Sequence, residues 1–359
     1  MKKSYLSIAL LMSITLTACG TNASNPANVT SISVEDMPLS AEPTDEATNQ
    51  DNANQTSNTF NPHVFSKEET MIWGEETRDS FFNLCDALLK GEDTFKCTDQ
   101  NAYENCISGR LLNYYFPVAA LYISTDSSSA ACGFENGVGK INYIKPKEDF
   151  LRAEKEFESR VEKILNENIQ PGYSPFEKAL KMYVYMSENY TYDYEMNNSY
   201  DGTYEKINTY RSLMSSKGTD RELSGVYSYL MLQCGVDAGV IEGNNLSGSH
   251  QWSYVTIGKN EYHVDPSFGL SSPDLFDGSA PLDSFLMTDN VREERDGFPA
   301  ANFILGGTED NPQKTKVAAK DDTFGALRFG YFVEIDCDKN TVTYGSYDDT
   351  GYQDFHYED

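Results

Sequence analysis

The chain has 359 residues, and its 56 Asp and Glu residues against 28 Lys and Arg give a formal net charge of −28. A surface this acidic repels polyanions, so we expect neither a nucleic-acid partner nor docking on an anionic lipid surface. The length from residue 65 onward suffices for one large domain, or for a core with a smaller lobe.

The start of the chain has the pattern of an export signal. MKK is a charged start, and SYLSIALLMSITL is an apolar run too short to span a bilayer. The run ends in LTAC at residues 16–19, which resembles a bacterial lipobox. That resemblance implies removal of residues 1–18, lipidation of Cys19 and anchoring to the cell membrane on its extracytoplasmic face. An ordinary signal peptide or an uncleaved anchor, with Cys19 incidental, is the alternative.

The composition divides the rest of the chain into four parts. Residues 19–64 are rich in Asn, Thr, Ser and Pro, which predicts a disordered tether. Residues 65–145 predict a helical N-terminal subdomain with a helix within 68–92 and a strand near 139–144. Residues 146–310 form the predicted core, and residues 311–359 a C-terminal β segment with a turn at 338–340.

The core begins with two helical patterns. One covers about 148–169 and has a strong apolar face; the other opens at Ser174 with a capping box and runs to about Asn189. An aromatic segment follows, in which Tyr190, Tyr192 and Tyr194 alternate along one strand-like face. These three tyrosines are candidates for the wall of a ligand cleft, and ordinary β or core packing is the commoner alternative.

Residues 217–270 predict a helix followed by a β-hairpin. Apolar residues at helical spacing indicate a helix from near Asp220 to Gly235. HQWSYVTI and EYHVD are two β-rich runs joined near Gly258. If the turn has two residues, His250 lies diagonally opposite Asp265 on one face, close enough for the side chains to meet. A three-residue loop would instead place the two side chains on opposite faces of the hairpin.

This block resembles the transglutaminase-like (papain-like Cys–His–Asp) superfamily, whose motifs are a G-x-C at a helix start, a His-x-Trp strand and an aromatic-x-V-D-P strand. The corresponding segments here are Gly218-Thr219-Asp220, His250-Gln251-Trp252 and Tyr262-His263-Val264-Asp265-Pro266. The resemblance implies an α+β fold in which a helix packs on an antiparallel sheet, together with the helical N-terminal subdomain. It also implies a triad whose nucleophile position holds Asp220, a good helix N-cap, instead of Cys.

With Asp220 at that position no thioester can form. We therefore expect a non-catalytic relative that binds a protein, peptide or cell-wall ligand, with Asp220, His250 and Asp265 kept as a polar cluster. The alternative is an active, cysteine-independent hydrolase, peptidase or acyltransferase that uses these three residues. A third possibility is a purely structural lipoprotein of the cell surface.

The remaining expectations concern the surroundings of this cluster. Trp252 is a candidate wall of the cleft, with core packing as an equal alternative. His263 could approach the cluster, or it could be exposed or packed near the turn. We expect no cofactor and no metal, although two carboxylates and one His can form a facial triad. Disulfides are expected among Cys85, Cys97, Cys106 and Cys132, with Cys234 a buried thiol.

Overall fold

The computed structural model describes residues 58–199, 206–308, 311–348 and 350–358. Its α-helices are α1 (Lys67–Trp73), α2 (Glu75–Leu89), α3 (Gln100–Cys106), α4 (Gly109–Tyr115), α5 (Lys147–Asn168), α6 (Pro175–Asn189), α7 (Tyr194–Asn198), α8 (Thr209–Ser215), α9 (Asp220–Gln233) and α10 (Asp289–Asp296). Its strands are β1 (Thr94–Lys96), β2 (Phe134–Glu135), β3 (Val138–Lys140), β4 (Thr191–Tyr192), β5 (Lys217–Gly218), β6 (Ala238–Asn245), β7 (Gly248–Ile257), β8 (Asn260–Val264), β9 (Ile304–Thr308), β10 (Asn311–Lys314), β11 (Gly330–Asp336), β12 (Thr341–Ser346) and β13 (Tyr352–His356). Helices alternate with sheets that are antiparallel apart from one short parallel pair among the described strands, β4 with β5, so the predicted α+β class is confirmed.

The predicted export signal, Cys19 and most of the predicted tether lie outside the described residues. The last part of the tether, residues 58–64, packs on the globular part of the chain. The amide of Asn58 donates to the side chain of Asn166 at 2.8 Å, and Val64 is buried. The structured chain therefore begins before residue 65. None of the helices in the described ranges is both long and apolar enough to span a membrane.

The N-terminal part consists of α1 to α4 and a three-stranded sheet of order β1-β3-β2. The single helix expected within 68–92 is two helices, because Gly74 adopts a φ of 87° between them. The strand expected at 139–144 is the shorter β3, which pairs with both β1 and β2. The six described cysteines are all free thiols, so the expected disulfides are not formed among them, and Cys234 caps the end of α9.

Helix α9 lies at the centre of the fold, against β6 and β7. Apart from Arg221, its residues are buried from Asp220 through Leu232, so it is covered on all sides and not on one stripe only. Its N-cap is Thr219, which forms a capping box with Glu222. Asp220 is the first helical residue and not the N-cap. Gly235, with a φ of 77°, follows the end of the helix.

A five-stranded antiparallel sheet of order β10-β9-β6-β7-β8 carries the predicted hairpin. Ile257 pairs with Asn260, so the turn has two residues, Gly258 and Lys259, and the predicted register is confirmed. The C-terminal strands form a separate sheet of order β11-β12-β13, whose Val342 and Tyr344 enter the main core. Phe176 on α6 stacks on Phe324 at 4.6 Å between ring centroids.

Candidate active-site cluster and cleft

Three separate elements bring the predicted polar residues together. Asp220 stands at the first turn of α9, His250 lies in β7, and Asp265 follows the end of β8. The Nε2 atom of His250 lies 2.7 Å from Asp265 Oδ2, and its Nδ1 atom lies 3.1 Å from Asp220 Oδ2. The two-residue turn and the capping box of α9 thus place one imidazole between two carboxylates.

This position sets the charge of the imidazole. Burial lowers the pKa of His250, but the carboxylates of Asp265 and Asp220 outweigh the burial and raise the pKa to about 9. Each ring nitrogen faces an anionic oxygen, which favours the form with a proton on both nitrogens. His250 is therefore an imidazolium at neutral pH and has no free lone pair with which to accept a proton.

Hydrogen-bond donors surround both carboxylates. Asp265 is fully buried, and its Oδ1 accepts from the amide and the hydroxyl of Ser267 and from the amide of Phe268. Burial raises the pKa of Asp265, but the charge and hydrogen bond of His250 hold it well below its usual range. Burial likewise raises the pKa of Asp220, and His250 together with the Gln251 amide, 2.9 Å away, brings it below its usual value. Both groups are carboxylates at neutral pH.

A cleft of about 600 Å³ opens beside His250. Two chain segments line it, residues 190–197 and residues 267–272. Phe268 stacks on the imidazole at 4.6 Å between ring centroids, with an angle of 18° between the planes, so it covers His250. The side chain of His250 is only 12% exposed.

Tyr190, Tyr192 and Tyr194 all line this cleft, but they do not form one strand face. Strand β4 contains only Thr191 and Tyr192, because Tyr190 ends α6 and Tyr194 begins α7. Tyr190 is buried, and Tyr194 is 72% exposed. The hydroxyl of Tyr192 reaches towards Asp220 Oδ1 at 3.5 Å, so this residue connects the cleft to the polar cluster.

Residues 163–266 match the model of the transglutaminase-like superfamily core. This stretch is a transglutaminase-like domain. It contains all three residues of the polar cluster and spans less than a third of the chain. The predicted transglutaminase-like core is therefore confirmed.

Solved structures with some similarity include two described as proteases and one described as a transglutaminase. A candidate cysteine protease from Cytophaga hutchinsonii is 16% identical over 37% of this chain and 40% of its own, with a TM-score of 0.25. A structure described as that of a TGase is 16% identical over 38% of this chain and 43% of its own, with a TM-score of 0.26. A candidate protease from Parabacteroides distasonis is 12% identical over 39% and 31%, with a TM-score of 0.25. The chain thus spans less than half the length of each of these proteins, and no curated protein matches it.

The polar cluster of the transglutaminase-like domain continues into α10, beyond the matched residues. The guanidinium of Arg292 is fully buried, lies 3.2 Å from Asp265 and 2.6 Å from Asp296, and stacks over Trp252 at 4.2 Å. Alternating charges form a continuous series, which we call the ion chain: Asp220, His250, Asp265, Arg292, Asp296 and Arg295. Arg295 also pairs with Asp283 at 3.4 Å, so each cation of the ion chain lies between two carboxylates.

Sequence reasoning did not find Arg292. The pattern of residues 283–298 predicts a helical or irregular segment, and the available signal is the spacing of Arg292 and Asp296, four residues apart on one helix face. That spacing indicates an ion pair, but it does not indicate that the pair is buried against Asp265. The contact depends on where α10 packs.

Two predicted neighbours of the cluster do not line the cleft. The prediction that Trp252 lines the cleft is wrong: it is fully buried in a separate apolar cluster with Phe298 and Phe303, because α10 and the segment after it cover that face of the sheet. His263 is also fully buried. Its Nδ1 accepts from Trp252 Nε1 at 3.1 Å and its Nε2 faces Asp289, so it fixes the indole without joining the cluster.

The described residues contain no group of three His, Cys, Asp or Glu side chains that could hold a metal ion. The facial triad considered for Asp220, His250 and Asp265 does not match the geometry, because the imidazole lies between the carboxylates and both of its nitrogens are directed at them. The arrangement pairs charges with each other and leaves no common point for a cation.

Proposed function

We propose that this protein is a membrane-anchored, extracytoplasmic lipoprotein whose transglutaminase-like domain binds a ligand without catalysis. In this proposal Asp220 stands where the family has its nucleophilic Cys. Asp220 stands at the start of α9 and its carboxylate pairs with Nδ1 of His250, which supports this alignment. The ligand, a protein, a peptide or a cell-wall component, occupies the cleft beside His250.

The observation that carries the proposal is the double ion pair of His250. A general base needs an unprotonated nitrogen near the operating pH, whereas the pKa of His250 is raised to about 9 and each of its nitrogens faces a carboxylate. Attack by Asp220 itself would yield a mixed anhydride, and this carboxylate already accepts from Gln251 and pairs with His250. The same observation weighs against a cysteine-independent hydrolase or acyltransferase that uses Asp220, His250 and Asp265.

Turnover assays test the non-catalytic part. We expect the full chain to release no ammonia from a glutamine peptide mixed with a primary amine, and to release no fragments from unfolded casein. Asp220→Asn and His250→Ala should behave as the wild type does. Turnover that is present in the wild type and lost in both variants would show that the cluster is catalytic.

Cell fractionation tests the anchor. If Cys19 is lipidated, mass spectrometry of the membrane fraction finds acyl groups on the wild-type chain and none on Cys19→Ser, because one thiol carries the acyl groups. The nearby substitution Thr21→Ser serves as a matched control that keeps the thiol. A wild-type chain that remains in the membrane fraction without any acyl group would contradict lipid anchoring.

A further inference from the structure

The lining of the cleft carries almost no charge, although the chain as a whole is strongly acidic. Among the described residues that line it, the single cationic side chain is His250, and no carboxylate lines it. The polar groups offered to a ligand are short hydroxyls and one amide, on Thr191, Asn197, Ser271 and Ser272. Such a lining can exchange hydrogen bonds with a neutral ligand, but it offers no carboxylate to a ligand cation.

Aromatic surface makes up much of the remainder. Phe268 is 49% exposed and Tyr194 is 72% exposed, and they belong to the two different segments that line the cleft. One face of Phe268 rests on the imidazolium of His250, so the ring is held in place while part of it stays accessible. Tyr194 packs beside Tyr192, with 4.8 Å between ring centroids. Apolar surface exposed in a concave site indicates a ligand with apolar faces of its own.

We infer that the cleft binds a neutral saccharide, and this inference rests on the proposed function of the cleft as a binding site. A pyranose ring has apolar C–H faces that pack on aromatic rings, and its rim of hydroxyls matches the Ser, Thr and Asn side chains. The volume of about 600 Å³ lies in the range of small-ligand sites. The net charge of −28 disfavours an acidic glycan, and the absence of carboxylates among the described lining residues disfavours a basic one.

Calorimetric titration of the full chain tests the inference with three neutral tetrasaccharides: N-acetylated chitotetraose, cellotetraose and maltotetraose. We expect at least one of them to bind. Phe268→Ala and Tyr194→Ala should each weaken that binding about tenfold, a change of about 1.4 kcal/mol, since each variant loses one ring stack. Tyr352→Ala is the matched control, because Tyr352 is 71% exposed but lies on β13, outside the cleft lining. It should leave the affinity within about twofold, a change of less than about 0.5 kcal/mol.

The remaining outcomes separate this inference from the proposed function. Failure of all three saccharides to bind, or equal binding by the cleft variants and the wild type, overturns the inference. An end-capped, uncharged peptide of alanine, serine and glutamine is titrated in parallel. Binding of this peptide alone, weakened by Phe268→Ala, also overturns the inference but leaves the proposed binding function intact. Cleavage of any probe, detected by mass spectrometry and lost in Asp220→Asn, contradicts the proposed function itself.

Discussion

Asp220→Cys should produce a thiol that is ionised well below the pH at which an ordinary cysteine ionises. The new side chain would lie at the first turn of α9, beside the His250 imidazolium that Asp265 holds in place. A helix N-terminus and an adjacent cation both stabilise a thiolate. At about pH 6 an ordinary thiol, with a pKa of about 8.5, is ionised to less than about 1%. We expect the thiol introduced at position 220 to be mostly ionised there.

Alkylation by iodoacetamide at about pH 6 measures this effect. The larger thiolate fraction speeds the reaction, while the lower basicity makes the thiolate a weaker nucleophile. The two effects together predict a rate about ten times that of an ordinary thiol. The ultraviolet absorbance of the thiolate, followed against pH, gives the same information without depending on access to the cleft.

Glu75→Cys is the matched control for this experiment. Glu75 is also the first residue of a helix, α2, and its side chain is 79% exposed. It has the helix N-terminus and a neighbouring guanidinium, that of Arg78, but no buried imidazolium, so a lower thiol pKa at position 220 than at position 75 reports the contribution of His250. If both thiols ionise at the same pH, Asp220 does not occupy a nucleophile position next to His250, and the proposed alignment is wrong.

The geometry of the cluster was predictable wherever it depends on local register. The turn at Gly258 and Lys259 determines the pairing of β7 with β8, and this pairing puts His250 beside Asp265. The helical pattern places Asp220 at the start of α9, although the capping residue is Thr219. Periodicity and turn chemistry act over a few residues, which is why sequence patterns report them.

Contacts between distant elements were not predictable in the same way. Arg292 meets Asp265 only because α10 returns to the sheet after a long connection, and no local pattern encodes that return. The same packing buries Trp252, for which the sequence allowed either a place in the cleft wall or a place in the core. Tyr190 and Tyr194 alternate in sequence, but a helix end and a helix start at these positions override strand periodicity.

The contribution of His250 to stability should fall on the order of 3 kcal/mol as the pH rises from about 6.5 to about 9, because in that interval the folded chain keeps the second proton of His250 and the unfolded chain does not. Its pKa is raised in the folded protein to about 9, above the value near 6.5 of an unfolded chain. A raised pKa contributes stability that is complete below about pH 6.5 and is lost as the pH passes the folded value. The lowered pKa values of Asp220 and Asp265 affect stability at acid pH. Their stabilising contribution is lost as the pH falls below about 4.

Urea unfolding of the wild type and His250→Gln across this pH range tests the expectation. The variant should lose the pH dependence between about pH 6.5 and 9 and should be about 3–5 kcal/mol less stable at about pH 6, since it leaves two buried carboxylates without their shared cation. His63→Gln is the matched control. His63 pairs with Asp86 at 2.9 Å, but its side chain is 39% exposed, so its removal should cost at most about 1 kcal/mol. Equal losses in the two variants would mean that the ion chain does not hold His250 as a buried imidazolium. The conclusion that His250 is a cation and cannot act as a base would then also be wrong.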